Sequence, residues 1–176
     1  IIANALVVVE GNHIKSVEAG GRAPRGATEI DLSGYTAVPG FIDVHNHSDL
    51  SPFVLPQMPS TLRQGVTTVV VGNCGSSPWP LSSWDEALDL AYSRAGALPR
   101  PSWTSWRDYL DAIDEARPAV NVATLVGHGS VRREVLGDER RHPTHRELDR
   151  MRGLVREAVA EGAVGRCEFI NVESEF

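Results

Sequence analysis

The sequence predicts a mixed α/β chain: a small β unit over residues 1–38, then a parallel sheet of strand–helix units over residues 39–176. Three observations carry this expectation. The first forty residues alternate short strand-like runs with Gly- and Asn-containing turns. Beyond Pro39 the strand-like runs become nearly all apolar and β-branched, as strands buried on both faces require. Between those runs lie segments with helical spacing and capping residues. The pattern leaves two architectures open, a doubly wound sheet and a (β/α)8 barrel. A barrel needs eight such units in about 250 residues, whereas the 176 residues here hold three and the opening of a fourth.

Residues 5–18, ALVVVEGNHIKSVE, read as a strand, a Gly-Asn turn and a second strand in which Ile14 and Val17 lie among polar residues. GGRAPRGA (20–27) is a loop by its Gly and Pro content. TEIDLSGYTAVPG (28–40) predicts two short strands around Ser33-Gly34, completing a β unit too thin to fold alone. FIDVH (41–45) opens the parallel sheet. PSTLRQG (59–65) is a short helix that Gly65 stops, and VTTVVVG (66–72) is a buried strand. The Pro-, Ser- and Trp-rich stretch 73–104 contains one predicted helix, WDEALDLAYSRAGA (84–97). In SWRDYLDAIDEA (105–116), Ser105 and Asp108 have capping spacing, and Trp106, Tyr109, Leu110 and Ile113 share a face. AVNVATLVGHG (119–129) is the third buried strand. THRELDRMRGLVREAVAEG (144–162) carries a Thr144–Glu147 capping box, an apolar repeat at Leu148, Met151, Val155 and Val159, and a terminating Gly162. AVG from Ala163 opens a fourth strand.

Composition narrows the function classes. Hydrophobic residues make up 41% and charged residues 23%, enough for a packed core. The formal charge is −6 and the seventeen Lys and Arg are scattered, which argues against a nucleic-acid groove. No apolar run approaches the ~20 residues of a membrane span. Two cysteines are too few for a disulfide framework, so a reducing cytoplasm is the expected setting.

The residues able to carry chemistry gather at predicted strand ends. Side chains two apart on a strand point the same way, so Asp43, His45 and His47 share a side if FIDVHNH stays extended. Two imidazoles so spaced can bind one divalent ion, which suits zinc. At the C-terminal end of a parallel strand the pair sits where α/β barrels keep their active sites. Cys74, in VVVGNCGSS, falls just beyond the next strand, in the same layer. It is either a thiolate ligand or a small buried apolar residue. His128 ends the third strand in the matching place, either facing substrate or a ligand, or as a satisfied structural residue. Cys167 lies in a polar tail without a supporting pattern. His13, His142 and His145 fall in a turn and around a helix start, where solvent exposure is expected. The four tryptophans, all between Trp79 and Trp106, are expected to pack around the long second loop.

At these residues the chain resembles the N-acyl-D-amino-acid deacylases (D-aminoacylases) of the amidohydrolase superfamily. VPGFIDVHNHSDL, GVTTVVVGNCG, NVATLVGHGSVR and LVREAVAEGAVG carry the likeness in order, and EGNHIKSVEAG is similar to the family's N-terminal β unit. GNCG is the more specific marker, since most relatives in the superfamily bridge their metals with a carboxylated lysine. The resemblance implies the first part of a (β/α)8 TIM barrel behind a segment of a β-sandwich. It further implies that His45 and His47 bind one metal, that Cys74 takes the bridging or tight-site role, and that one or two zinc ions are held. The implied reaction is hydrolysis of the amide of a small N-acyl-D-amino acid by metal-activated water.

The family draws two further histidine ligands from middle strands and its acid/base aspartate from the last strand, none of which is in this chain. Asp43 and Asp49 do not match that aspartate, so no catalytic acid/base is assigned. Where the family continues with a Ser/Thr-Gly-rich strand, this chain reads RCEFINVESEF (166–176), the expectation being a truncated, frameshifted or unrelated end. The chain alone is therefore expected to hydrolyse N-acetyl-D-methionine negligibly, and to self-associate through exposed barrel edges. Other readings are a dihydroorotase-like cyclic-amide hydrolase, an isoaspartyl dipeptidase-like enzyme, and a non-catalytic degenerate fragment.

Overall fold

The computed structural model describes residues 1–80 and 103–167, so the helix expected over 84–97, and Trp84 within it, lie outside the described residues. The chain divides into two compact units, residues 1–39 and 40–176.

In the first unit, β1 (Ala5–Glu10) and β2 (His13–Ala19) pair antiparallel with Val7 opposite Val17 and Glu10 opposite His13. This is the hairpin expected around Gly11-Asn12. The strands expected on either side of Ser33-Gly34 do not form. Only the turn is present: the Asp31 carboxylate accepts from the Ser33 amide and hydroxyl at 2.9 and 2.6 Å, and Tyr35 N–H donates to the Leu32 carbonyl. A strand needs a partner for its backbone groups, and local side-chain bonding competes where none is offered. Ile30, Leu32 and Tyr35, which a core would have buried, are exposed.

The second unit holds a four-stranded parallel sheet in the order β3 (Phe41–Asp43), β4 (Val66–Val71), β5 (Asn121–Gly127), β6 (Gly165–Cys167). Two short helices, α1 (Ser51–Val54) and α2 (Pro59–Leu62), connect β3 to β4. Val69 and Val71 of β4 lie opposite Val122 and Thr124 of β5. Both valines are fully buried against Met58 and Val120. The β-branched run thus forms a strand as predicted, with its alternate residues 68 and 70 half-buried on the sheet's other face.

Three longer helices follow. α3 (Trp106–Ala116) begins with the expected capping box: Ser105 Oγ accepts from Asp108 N–H at 3.1 Å and the Asp108 carboxylate accepts from Ser105 N–H at 3.0 Å. Its Trp106, Tyr109 and Ile113 are buried in a core with Trp79, Trp103, Val126 and Met151, while Leu110 packs at the margin. The tryptophans described here are core packing, as expected: Trp79 meets Trp106 edge-on at 5.7 Å, and Phe53 stacks on Trp103 at 5.3 Å.

α4 (His128–Leu136) begins inside the segment 119–129 whose pattern predicts a strand through to Gly129. Its N-cap is Gly127, which offers no side-chain cap, and its nine residues bury only Ser130, Val131 and Leu136. That pattern is too short and sparse for a periodic signal. α5 (His145–Glu161) starts at the expected Thr144–Glu147 box and stops at Gly162. Its buried stripe is narrower than expected. Met151 and Ala158 face the core and Val159 is exposed, because a repeat of seven from Met151 reaches Ala158. Among the described residues no helix is long and apolar enough to cross a membrane.

Candidate metal centre

The parallel sheet brings the ends of β3 and β4 side by side, and the two predicted ligand segments start there. β3 stops at Asp43, two residues short of the expected FIDVH. The chain then turns: Asp43 accepts from His45 N–H at 3.3 Å and from the Asn46 side-chain amide at 2.7 Å, and Asn46 accepts from Ser48 N–H at 2.8 Å. Strand alternation therefore does not set the histidine directions. Asp43 and Asn46, which an extended strand would put on opposite sides, are hydrogen-bonded to each other. The turn still leaves the two rings adjacent, with centroids 5.5 Å apart and planes at 63°.

Beyond β4 the chain runs through Gly72, Asn73, Cys74 and Gly75. Gly72, Cys74 and Gly75 have φ of +82°, +53° and +73°, the left-handed region that a residue with a Cβ rarely adopts. This tight path puts Cys74 Sγ 3.2 Å from His45 Nε2. His45, His47 and Cys74 each offer a donor atom, and the three atoms lie within 4.8 Å of one another. Both histidines are exposed and the cysteine is half-buried, so the cluster opens to solvent on the imidazole side.

This donor set fits a zinc-like ion. Zn–N bonds of about 2.0–2.1 Å and Zn–S bonds of about 2.3 Å at tetrahedral angles put ligand atoms roughly 3.3–3.6 Å apart. The 3.2 Å pair is already close to that, and the third donor atom lies within 4.8 Å of both. Among the described residues this is the one cluster of three or more such groups.

Sequence reasoning missed the groups that join the two loops. The Asp49 carboxylate accepts from Gly72 N–H at 2.7 Å, and Asn73 donates its side-chain amide to the Asn46 carbonyl at 3.2 Å and the Val70 carbonyl at 2.7 Å. Burial pushes the Asp49 carboxyl above its ordinary pKa, against the opposing pull of Gly72 N–H and His47. Asp49 and Asn73 stand within three residues of the predicted ligands, but only the fold reveals that they bond across 23 and 27 positions.

His128 stands at the end of β5 as the first residue of α4, half-buried and outside the cluster. Cys167, read as part of a patternless tail, instead closes β6 opposite Gly127. Arg166 is likewise in that strand, and residues 168–176 lie outside the described residues. His13, His142 and His145 are exposed, as expected.

Compared with known proteins, residues 28–168 match the profile of the Amidohydrolase family. The chain belongs to the amidohydrolase family. Among amidohydrolases it is 41% identical over 138 residues to a D-aminoacylase of Alcaligenes xylosoxydans xylosoxydans, covering 78% of this chain and 28% of that one. A crystal structure of N-acyl-D-glutamate deacylase from Bordetella bronchiseptica, complexed with zinc and a phosphonate mimic of the tetrahedral intermediate, matches with TM-score 0.62 and 40% identity. That match covers 74% of this chain and 27% of that one. A D-aminoacylase studied for its binuclear metal centre, with one-metal activation and second-metal attenuation, matches with TM-score 0.68 and 34% identity, covering 94% and 34%. The chain thus spans 27% to 34% of the length of these relatives. The likeness resolves the fold left open by the sequence pattern: the four parallel strands are part of an amidohydrolase TIM barrel.

Proposed function

We propose that this chain supplies His45, His47 and Cys74 to the zinc site of an enzyme that hydrolyses the amide of N-acyl-D-amino acids. The observation that carries the reading is the 3.2 Å approach of Cys74 Sγ to His45 Nε2, from segments 29 residues apart. The naming of relatives as D-aminoacylase and N-acyl-D-glutamate deacylase supports the substrate class. The two imidazoles and the thiolate would hold the ion, and the exposed histidines leave the approach open to a small acylated amino acid. An ion held there supplies a water of lowered pKa, near 7, and polarises the scissile carbonyl. Release of a carboxylate and a free amine also needs a proton carrier. No carboxylate belongs to the described cluster, so none is assigned here. His128 is the candidate for contact with substrate or support of a ligand. A reducing cytoplasm suits a site that depends on a free thiol.

Metal titration tests the reading. Co(II) is expected to bind with a thiolate-to-metal charge-transfer band that vanishes in Cys74→Ser, and zinc is expected to displace it. A parent chain that shows no such band refutes the ligand set. By itself the 176-residue chain is expected to turn over N-acetyl-D-methionine negligibly, and robust metal-dependent turnover would overturn that part. A substrate panel that includes cyclic amides and isoaspartyl dipeptides, run on an active full-length relative-sized protein, decides between amidohydrolase chemistries.

The second reading, a non-catalytic chain that associates with copies of itself, is favoured by one observation. Among the described strands β3 is an edge of the sheet, and its Phe41 and Ile42 are exposed together with the neighbouring Val44. Sedimentation should show concentration-dependent association, and a monodisperse, cooperatively melting monomer rules it out.

A further inference from the structure

We infer that Asp49 and Asn73 are positioning residues that lock the histidine loop to the cysteine loop, and so set the distance between His45, His47 and Cys74. This rests on the metal reading above. Pairing between β3 and β4 ends at Asp43 opposite Val69, so no ladder bond holds the two loops where the ligands sit. Two bonds replace it. Asp49, two residues after His47, takes the Gly72 N–H at 2.7 Å. Asn73, next to Cys74, gives its amide to the carbonyl of Asn46, next to His45, at 3.2 Å. The cross-links therefore stand on either side of His47 in one loop, at residues 46 and 49, and immediately before Cys74 in the other, at residues 72 and 73.

Each clamp is itself anchored. Asn73 is 5% exposed and also donates to the Val70 carbonyl of its own strand, which fixes its amide direction. Asp49 precedes Leu50, which is 1% exposed, and its carbonyl accepts from the Tyr109 hydroxyl at 3.4 Å. Neither residue belongs to the cluster of metal-capable donors. Their role is to hold backbone in place, which for Asp49 requires an acceptor oxygen and no charge. Ligand positions must be kept within about 0.5 Å to be productive, and groups standing behind ligands typically affect metal affinity 10- to 100-fold.

The test is Co(II) titration of this chain, read by the thiolate charge-transfer band, alongside Gly72 amide exchange and melting of the metal-free protein. Asp49→Ala and Asn73→Ala should weaken Co(II) binding roughly 10- to 100-fold, whereas Asp49→Asn, which keeps an acceptor oxygen, should bind close to the parent. Gly72 amide exchange should accelerate in Asp49→Ala and not in Asp49→Asn. A parent chain without the band sinks the metal reading, and the exchange result then judges the clamp by itself. A parent with the band, and alanine variants that bind equally well, overturns the inference. So does an Asp49→Asn that loses as much affinity as Asp49→Ala, since the charge rather than the acceptor would then matter. Should an alanine variant melt below the assay temperature, its titration and Gly72 exchange are run below its melting point, with parent and Asp49→Asn at that same temperature, and the same outcomes decide.

Discussion

Gly72→Ala probes the point where fold and site meet. A Cβ built on Gly72 would lie 1.9 Å from the Leu125 carbonyl oxygen and 2.8 Å from its carbon, both backbone atoms of β5. Carbon–oxygen contacts ordinarily begin near 3.3 Å, so β4 and β5 would have to part by more than about 1 Å. Overpacking of this kind costs about 1–3 kcal/mol. The φ of +82° adds about 1–2 kcal/mol for any residue with a Cβ. The sum is about 2–5 kcal/mol, and Gly65→Ala separates the two parts. Gly65 has φ +77°, but its Cβ would meet only the exposed Phe41 ring at 3.3 Å, which can swing aside. It should therefore lose only the conformational part. Urea denaturation of the metal-free chain measures both, and in heat Gly72→Ala should melt roughly 4–20 °C lower, at 2–4 °C per kcal/mol for this length. Because Gly72 N–H feeds Asp49 and the chain leads directly to Cys74, Co(II) affinity should fall as well. Equal destabilisation by the two substitutions would refute the close approach of β4 to β5.

Three further outcomes follow from the helices and the core. Ser105→Ala removes the oxygen that accepts Asp108 N–H and should cost about 1 kcal/mol in denaturant midpoint analysis, with no change in metal affinity. Trp106→Ala, at a fully buried position ringed by Trp79 and Tyr109, should cost about 3–5 kcal/mol, and near-parent stability would contradict the described core. Hydrogen bonds from Thr104, and then from Ser105, hold the Asp108 carboxyl down to about 2. Arg141, and then Thr144, hold Glu147 well below the usual carboxylate range. A depressed folded pKa contributes stability above the unfolded value that is lost as pH falls toward the folded one. The melting temperature should thus decline from about pH 4 toward pH 2, and less steeply in Asp108→Asn; a flat profile in the parent chain contradicts both pairs.

What the sequence made legible had local causes. Ser105–Asp108 and Thr144–Glu147 are three-residue motifs whose chemistry closes on itself, and both helices start where those motifs stand. The run VTTVVV carries enough β-branched residues to become a strand wherever it is placed. Where an element depends on a distant partner, the pattern misleads. Ile30, Leu32 and Tyr35 have the composition of strands, yet no neighbouring strand takes up their backbone groups. Val159 has helical spacing from Val155, but only a neighbouring element could bury it. At the candidate site the residue types that gather were readable and their geometry was not. Strand parity holds only while the chain stays extended, and the strand ends at residue 43, where the Asp43–Asn46 bond turns it. The links from Asp49 to Gly72 and from Asn73 to Asn46 exist only because β3 and β4 are neighbours.

The conformation of Cys74 bears on the choice between its two readings. A cysteine acting as a small apolar residue gains by burial and has no use for backbone strain. It would be expected within a strand, at negative φ, among apolar side chains. Cys74 is instead half-buried, at φ +53° between Asn73 and Gly75, and its sulfur faces an imidazole nitrogen. A side chain in the left-handed region costs about 1–2 kcal/mol, and such strain persists only where surrounding contacts over-determine it. Here those contacts are visible: Asp49 on Gly72, Asn73 on two carbonyls, and the Gly75 carbonyl accepting from Ser130 N–H at 3.1 Å. They hold the sulfur 3.2 Å from His45 Nε2 and within 4.8 Å of a His47 ring nitrogen, which supports the proposed ligand role over simple packing.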